Sequence, residues 1–273
     1  MRYKLKEILD LAEAGGFAVP AFNVYNAETA LGVMKAAEKT GMPVIFQMYS
    51  RLFDTGLAQY IAPLVKEVIY TLKTPAAFHL DHGAGEPEVI RAIQYGATGV
   101  MIDGSTSPLA ENIAITKSAV AMARAAGIGI EGELGHIGSA ANGDEQGTYT
   151  AVDEAVRFAE ETDVDALAVM VGTAHGHYKK APVLAIDRIA AIHGAVKAHL
   201  VLHGGSGVPD DQIRAAVKAG IRKINYGTDV CCAFIESCKK TDPYSLPLDK
   251  YMQAPTEAVC DFAVNRIELL GKA

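Results

Sequence analysis

The chain contains 273 residues, of which 50% are hydrophobic and 21% are charged, so it can bury enough apolar surface to fold and intrinsic disorder is excluded. Its 32 acidic residues outnumber its 25 lysines and arginines, and the formal charge of −7 argues against a nucleic-acid partner. No apolar run reaches the roughly 18 residues of a membrane-spanning helix, and the first residues lack the apolar core of a secretory signal, so we expect a cytoplasmic protein without a membrane partner.

Short apolar segments, typical of strands buried on both faces, alternate along the chain with longer segments of helical periodicity. In the first half, the predicted elements are strand 18–23, helix 27–40, strands 43–48, 76–81 and 99–103, and helix 108–126. In the second half, they are strand 127–133, helix 153–162, strand 166–172, helix 187–196, strand 199–204, helix 210–219 and strand 221–225. Asn26 is placed to cap helix 27–40, and Gly41 and Gly220 follow the ends of two helices.

This alternation of strands and helices predicts a (β/α)8 barrel, the TIM barrel, which we expect to span residues 1–273 as one domain. A doubly wound open sheet is the alternative. That fold typically places a glycine-rich turn after its first strand, and residues 21–25 (AFNVY) contain no glycine. In a barrel, the functional residues lie at the carboxyl ends of the strands.

Histidines occur at three of these predicted strand ends, and each is followed by a glycine: His82, His175 and His203. A single histidine at such a position is most simply a hydrogen-bonded residue of the rim. Three neutral imidazoles that leave one coordination position open are typical of a catalytic zinc site. The set therefore predicts that the three side chains bind one Zn2+ ion.

Carboxylates accompany these histidines at the strand ends. Asp81 directly precedes His82, so it lies at the rim and could exchange a proton with a substrate hydroxyl. The alternative is that Asp81 only orients a histidine. Asp103 and Glu133 end the fourth and fifth predicted strands, where an alternative metal position and structural hydrogen bonding are equally open.

The segment after the seventh strand, residues 204–207, reads Gly-Gly-Ser-Gly and leads into a helix. Exposed backbone N–H groups beside a helix N-terminus bind anions well, and barrels commonly bind phosphate after strands seven and eight. Residues 225–228, at the end of the eighth strand, lie on the same side, and Lys179 could add a positive charge. A metal, a carboxylate and a phosphate site together favour carbon–carbon cleavage or enolisation of a phosphorylated ketone.

Seven motifs occur in a characteristic order across nearly the whole chain: residues 21–24, 80–82, 101–105, 131–135, 172–176, 202–207 and 223–225. With them the sequence resembles the class II, zinc-dependent ketose-bisphosphate aldolases, the group of fructose- and tagatose-bisphosphate aldolases. The resemblance implies reversible cleavage of a phosphorylated ketose to dihydroxyacetone phosphate and an aldehyde. The ketose would be fructose or tagatose 1,6-bisphosphate or a related ketose 1-phosphate.

The resemblance also implies roles for individual residues. His82, His175 and His203 match the zinc ligands, and Asp81 matches the carboxylate that exchanges a proton with the C4 hydroxyl. Asp103 and Glu133 match an alternative metal position. The matched substrate and phosphate contacts are Asn23, Gly176, Lys179, Gly204, Gly205, Ser206, Asn225, Tyr226, Gly227 and Thr228. The family further implies a monovalent cation (Na+ or K+) near the phosphate, and a homodimer or homotetramer.

The sequence departs from the family pattern at three places. The mobile-loop stretch that usually contains a catalytic Glu has alanines here, and Asp144 or Glu145 could replace that residue. Gly227 stands where some fructose enzymes have Asp, as in the tagatose branch. The arginine that holds a second phosphate in fructose-bisphosphate enzymes has no match, since only Arg266 lies nearby. A ketose 1-phosphate therefore fits about as well as a bisphosphate.

Other functions use related chemistry on the same barrel. A metal-dependent isomerase or epimerase of a ketose phosphate would form the same enediolate but would release no triose. A Schiff-base aldolase needs a lysine at the barrel mouth; the sixth predicted strand has none, and Lys223 lies early on the eighth. A ligand-sensing barrel without catalysis is the remaining alternative.

Overall fold

The computed structural model describes residues 2–138, 149–176, 178, 180–242, 244 and 246–271. In these residues, eight parallel strands follow one another around a closed barrel in chain order. They are β1 (Val19–Asn23), β2 (Val44–Tyr49), β3 (Ala76–Gly83), β4 (Gly99–Ile102), β5 (Gly129–Leu134), β6 (Ala166–Val169), β7 (His199–Leu202) and β8 (Ile221–Tyr226). The closed parallel sheet confirms the predicted TIM barrel, and every predicted strand overlaps an observed one.

Among the described residues, one helix precedes β1, and the other helices follow the strands around the outside of the barrel. They are α1 (Leu5–Gly15), α2 (Ala27–Thr40), α3 (Arg51–Asp54), α4 (Ala58–Thr71), α5 (Glu86–Gln94), α6 (Leu109–Ala126), α7 (Val152–Thr162), α8 (Ile186–Ala195), α9 (Asp210–Ala219), α10 (Thr228–Lys240), α11 (Leu248–Tyr251) and α12 (Gln253–Gly271). The predicted cap of α2 is present, because Asn26 Oδ1 accepts a hydrogen bond from the Thr29 N–H at 2.9 Å. None of the helices in the described residues combines the length and the hydropathy of a membrane span.

The hydrophobic core has two layers. The larger layer lies between the sheet and the surrounding helices. The smaller one lies inside the barrel, where Leu5, Ile8 and Leu9 of α1 pack against inward-facing strand residues such as Val19 and Ile45. The apolar face of α1 therefore closes the amino-terminal end of the barrel, and the polar side chains collect at the carboxyl end.

Two strands end at least two residues earlier than the sequence predicts. β6 ends at Val169 and β7 at Leu202, whereas the predicted strands extend to residues 172 and 204. Gly172 (φ 114°) and Gly204 (φ 65°) have positive φ angles, which are incompatible with an extended strand. His203 is consequently the first residue after β7, at the start of a loop.

Candidate metal centre and substrate pocket

A pocket of about 270 Å³ opens at the carboxyl end of the barrel. Residues from the ends of six strands and the loops that follow them line it: Asn23, Tyr25, Tyr49, Arg51, Asp81, His82, His175, Gly176, Gly204, Ser206, Asn225, Gly227 and Thr228. The position agrees with the rule that barrel sites form at this end.

The structure brings the three sequence-predicted histidines together in this pocket. His82 comes from the end of β3, His175 from the loop after β6, and His203 from the residue after β7. Each offers one ring nitrogen, and these three atoms lie within 4.8 Å of one another. The ring of His82 is 4.9 Å from the ring of His175 and 4.7 Å from that of His203, measured between centroids.

The hydrogen bonds of the imidazoles leave one nitrogen of each ring free to bind a metal. His82 Nδ1 lies 2.8 Å from Asp103 Oδ2, and His203 Nε2 lies 2.8 Å from Glu131 Oε1. The remaining nitrogens, His82 Nε2 and His203 Nδ1, and also His175 Nε2, are buried and form no hydrogen bond among the described residues. His203 Nδ1 lies 3.2 Å from Glu133 Oε2 without the geometry of a hydrogen bond. Carboxylate–histidine pairs of this kind orient metal ligands. Because unsatisfied buried nitrogens are costly, this arrangement fits a zinc ion held by three histidines.

The pKa values of two of these histidines shift in opposite directions, because carboxylates lie close to His82 and imidazoles lie close to His175. Burial alone would lower the pKa of His82, but the neighbouring carboxylates, Asp81 first among them, raise it to about 10. Burial and the adjacent imidazoles of His82 and His203 lower the pKa of His175 to about 3. The carboxylates that raise the pKa of His82 would also attract a metal cation bound by the rings.

Asp103 and Glu133 approach the same cluster from β4 and β5. One oxygen of each carboxylate lies within 4.8 Å of a His82 nitrogen, so these three residues form a second group that could hold a metal. Asp103 also has a structural contact, because its Oδ1 accepts a hydrogen bond from the Ser105 hydroxyl at 2.7 Å. Glu133 Oε2 is buried without a hydrogen-bond partner in the described part of the chain. The contacts of Asp103 and Glu133 are thus compatible with an alternative metal position and with structural hydrogen bonding.

The backbone at His82 explains how two consecutive residues can line one pocket. Side chains alternate between the two faces of a regular strand, yet Asp81 and His82 both face the pocket. The register between β3 and β4 shifts between Leu80 and Gly83, and His82 has a left-handed conformation with φ 52°. Such a conformation is unfavourable for a residue with a Cβ and is often found at functional sites.

Asp81 is buried, and side-chain amides hold both of its oxygens. Asn23 Nδ2 donates to Oδ2 at 2.7 Å, and Asn225 Nδ2 donates to Oδ1 at 3.0 Å. Gln47 Nε2 in turn donates to Asn23 Oδ1 at 3.0 Å and fixes the orientation of that amide. Burial would raise the pKa of Asp81, but nearby positive groups, His82 first, and the Asn23 hydrogen bond lower it. The carboxylate is therefore ionised and able to accept a proton.

A buried ion pair lies below Asp81, inside the barrel. Lys223 Nζ is 2.9 Å from Glu131 Oε2 and donates a hydrogen bond to Asn225 Oδ1 at 2.6 Å. Glu131 also contacts His203, as described above. Although burial opposes ionisation, Lys223, His203 and His79 hold the pKa of the Glu131 carboxyl well below its ordinary value. Lys223 thus supports the residues of the pocket from beneath and is not among those that line it.

The loops after β6 and β7 form one wall of the pocket. Tyr178 joins them, because its hydroxyl donates to the Gly204 carbonyl at 2.9 Å and accepts from the Ala174 N–H at 2.8 Å. Gly204 is required at this contact, since a Cβ at that position would lie 2.3 Å from the Ala174 carbonyl oxygen. Gly204 and Ser206 line the pocket with little side-chain bulk.

Helix α10 begins at Thr228, immediately after β8, and its first turn faces the same wall. The Asp229 N–H donates to Ser206 Oγ at 3.2 Å, and the Gly207 N–H donates to Asp229 Oδ2 at 3.2 Å. These bonds place the loop after β7 against the start of α10. Small residues beside a helix N-terminus form a suitable site for an anion.

Several residues predicted as substrate contacts lie elsewhere. The structure corrects the predicted substrate contact of the Tyr226 side chain. This side chain is fully buried between sheet and helices, 5.9 Å from the Phe22 ring and 6.0 Å from the Phe262 ring. The reason is strand alternation, which turns Asn225 inward and Tyr226 outward. Gly205 donates its N–H to the Asn225 carbonyl and is not among the residues that line the pocket. Lys179, Asp144 and Glu145 lie outside the described residues.

Sequence reasoning missed three residues that line the pocket, namely Tyr25, Tyr49 and Arg51. The guanidinium carbon of Arg51 lies 5.3 Å from the centroid of the Tyr49 ring. Only their position could have indicated this role, because Tyr49 and Arg51 closely follow the predicted strand 43–48, at the end of the barrel where sites form. Arg266 is the arginine nearest in sequence to the family's unmatched second-phosphate position. It donates to Asp210 Oδ1 at 2.9 Å and does not line the pocket.

Comparison with known proteins agrees with this architecture. The family model described as fructose-bisphosphate aldolase class-II matches residues 3–273. The chain is 41% identical over 239 residues to the 6-phospho-5-dehydro-2-deoxy-D-gluconate aldolase of Halalkalibacterium halodurans, covering 86% of this chain and 83% of that protein. It is 36% identical over 273 residues to the sulfofructosephosphate aldolase of Alkalicoccus urumqiensis, covering 97% and 95% of the two chains.

Among solved structures, the YdjI aldolase from Escherichia coli K12 superposes with a TM-score of 0.90 at 31% identity, covering 99% of this chain and 98% of that one. The fold, the match to the family model and the identity to these relatives lead to the same assignment. The chain belongs to the class II fructose-bisphosphate aldolase family, whose members are carbon–carbon lyases.

Proposed function

We propose that this protein is a zinc-dependent aldolase that reversibly cleaves a phosphorylated ketose to dihydroxyacetone phosphate and an aldehyde. One observation carries the proposal. Three buried imidazole nitrogens without hydrogen-bond partners converge beside the ionised Asp81 and next to a wall suited to an anion. Family membership supports the reaction class, and the contacts of these residues support the division of roles between them.

The substrate phosphate would bind at the wall formed by the loops after β6 and β7 and by the start of α10. Gly176, Gly204 and Gly227 leave room for a phosphate to approach the backbone there. The N-terminal dipole of α10, at Thr228, favours a negative charge at this position. In this pose the reacting carbons of the ketose would lie between the phosphate wall and the histidines.

Asp81 would move the proton of the reaction. In the cleavage direction it accepts the proton of the C4 hydroxyl while the C3–C4 bond breaks, which gives the aldehyde and, after protonation at carbon, dihydroxyacetone phosphate. Asn23 and Asn225 hold the carboxylate in its ionised form and fix its orientation. When bound by His82 and its two partners, zinc supplies a Lewis acid for the negative charge that develops on the substrate oxygens.

The names of the relatives bear on the substrate. A sulfofructosephosphate and a 6-phospho-5-dehydro-2-deoxy-D-gluconate each carry one phosphate and a second acidic group, a sulfonate or a carboxylate. Arg266 is paired with Asp210 and does not reach the pocket in the way that a second-phosphate contact would require. Both observations support a ketose with a single phosphate at least as well as a bisphosphate.

The test is a panel of ketose mono- and bisphosphates, with triose phosphate release followed through a coupled dehydrogenase. We expect release from at least one ketose, loss of release in excess chelator, and recovery with added Zn2+. His175→Ala should lose bound zinc and activity, whereas His193→Ala on the outer helix α8 should keep both. Turnover that survives chelation would refute the metal's role. Isomerised product without triose would favour the isomerase alternative.

A further inference from the structure

Arg51 is a cation in the pocket that the proposed reaction does not use. It begins α3, two residues after the end of β2, and its side chain is exposed at the rim of the pocket. In the described residues it forms no ion pair with a carboxylate of the protein. Its guanidinium lies over the Tyr49 ring, at 5.3 Å from the centroid. A charge held in this way is available to a ligand.

The strand order of the barrel places Arg51 across the pocket from the phosphate wall. In a closed barrel of eight strands, β2 lies opposite β6, and the phosphate wall is built from the segments after β6, β7 and β8. The Tyr49 ring connects the two sides, because it lies 5.7 Å from the His82 ring and beneath Arg51. A ketose whose phosphate binds at the wall and whose C4 hydroxyl reaches Asp81 therefore points its far end toward Arg51.

Arg51 places a positive charge at a pocket whose other charged neighbours include several carboxylates. Asp81 lines the pocket, Asp103 contacts His82, and Glu131 and Glu133 lie beside His203. Such a cluster repels a substrate that has a second negative group at its far end. A guanidinium offsets that repulsion, and its planar donors suit the paired oxygens of a carboxylate, sulfonate or phosphate. The Tyr49 ring orients it through a cation–π contact.

We propose that Arg51 is a specificity-determining residue that binds a terminal oxyanion on the aldehyde half of the substrate. This inference rests on the proposed aldolase function and extends it to the substrate class. The substrate would be a ketose that has a phosphate at one end and a carboxylate, a sulfonate or a second phosphate at the other. Tyr49 is a positioning residue in this scheme.

The experiment uses the condensation direction, with dihydroxyacetone phosphate held constant and the aldehyde varied. The anionic aldehydes are malonate semialdehyde, 3-sulfolactaldehyde and glyceraldehyde 3-phosphate, and uncharged glyceraldehyde is the reference. The variants are Arg51→Met and Arg51→Lys. Arg157→Met is the matched control, because Arg157 lies on α7 and pairs with Glu161 at 2.8 Å. Zinc content is measured for every variant.

We expect the wild type to prefer one anionic aldehyde, whose acidic group identifies the oxyanion. Arg51→Met should lower kcat/KM for that aldehyde by about 10- to 100-fold, mainly through KM, as expected when hydrogen bonds to a charged group are lost. Its kcat/KM for glyceraldehyde should stay within about twofold of wild type, and Arg51→Lys should be intermediate. The zinc content should not change.

Two results would overturn the inference while leaving the aldolase function intact. One is a wild-type enzyme that uses glyceraldehyde as well as every anionic aldehyde. The other is an Arg51→Met variant that loses equal activity with charged and uncharged aldehydes, which would indicate a general effect on the pocket. A wild type that condenses no aldehyde and cleaves no ketose would instead refute the proposed function itself, and the role of Arg51 with it.

Discussion

Glu131→Gln tests the buried network that supports the pocket. The substitution keeps the shape of the side chain but removes the negative charge that faces Lys223 at 2.9 Å and His203 at 2.8 Å. Both Glu131 and Lys223 are completely buried, so the substitution removes from a dry site the carboxylate that pairs with Lys223. Breaking a buried pair in this way costs about 3–5 kcal/mol of folding free energy.

The size of this loss can be measured by thermal unfolding. For a chain of this length, about 3–5 kcal/mol corresponds to a decrease in Tm of about 6–20 °C. Glu161→Gln is the control, because its pair with Arg157 is exposed on both sides and should contribute less than about 1 kcal/mol. The double variant Glu131→Gln, Lys223→Met should recover much of the stability, since it removes both buried charges.

Zinc binding gives a second readout of the same variant. The Glu131 carboxylate orients His203 through Nε2, and loss of such a partner typically weakens metal binding by about 10- to 100-fold. The double variant should regain stability without regaining zinc affinity, because the carboxylate is still missing. A decrease in Tm below about 2 °C for Glu131→Gln, with wild-type zinc affinity, would refute our account of the network.

Two further predictions concern the pocket itself. Asp81→Asn should lower kcat for cleavage by about 100-fold or more with little change in KM, because the amide cannot accept the C4 proton; an equal loss in substrate affinity would contradict its role. Gly204→Ala should destabilise the protein by at least about 2 kcal/mol in chemical denaturation, since the new Cβ meets a carbonyl oxygen at 2.3 Å and φ is 65°. Gly194→Ala is the control: it lies in α8 with nothing within 4 Å of an added Cβ, so it should stabilise the protein by about 0.5–1 kcal/mol.

The sequence predicted the barrel well because its signals are local. Strands covered on both faces appear as short apolar runs, and caps and glycines define the helix ends, as Asn26 and Gly41 do for α2. Helix α1 was not predicted, although Leu5, Ile8 and Leu9 have the spacing of a buried helix face. Its partner is the floor of the barrel, which exists only after all eight strands have closed.

The barrel rule places the three predicted histidines correctly, whereas the direction of individual side chains does not follow from it. Strand ends on one rim must meet, so the convergence of His82, His175 and His203 followed from topology. Tyr226 was assigned to the pocket with its neighbours, although alternation from Asn225 turns it outward. Arg51 was missed because exposed arginines are common, and no local sequence pattern shows which of them face a pocket.

The segment around His82 shows why the site does not follow from strand rules alone. A regular strand would turn either Asp81 or His82 away from the pocket, and the proposed chemistry needs both residues there. The chain resolves this conflict with a register shift beside Gly83 and a left-handed backbone at His82. A Cβ at Gly83 would lie 2.5 Å from the Met101 carbonyl oxygen, so the shift itself requires glycine at that position. The His-Gly pair at the end of β3 therefore has a geometric purpose: histidine supplies the nitrogen and glycine permits the bend that directs it inward.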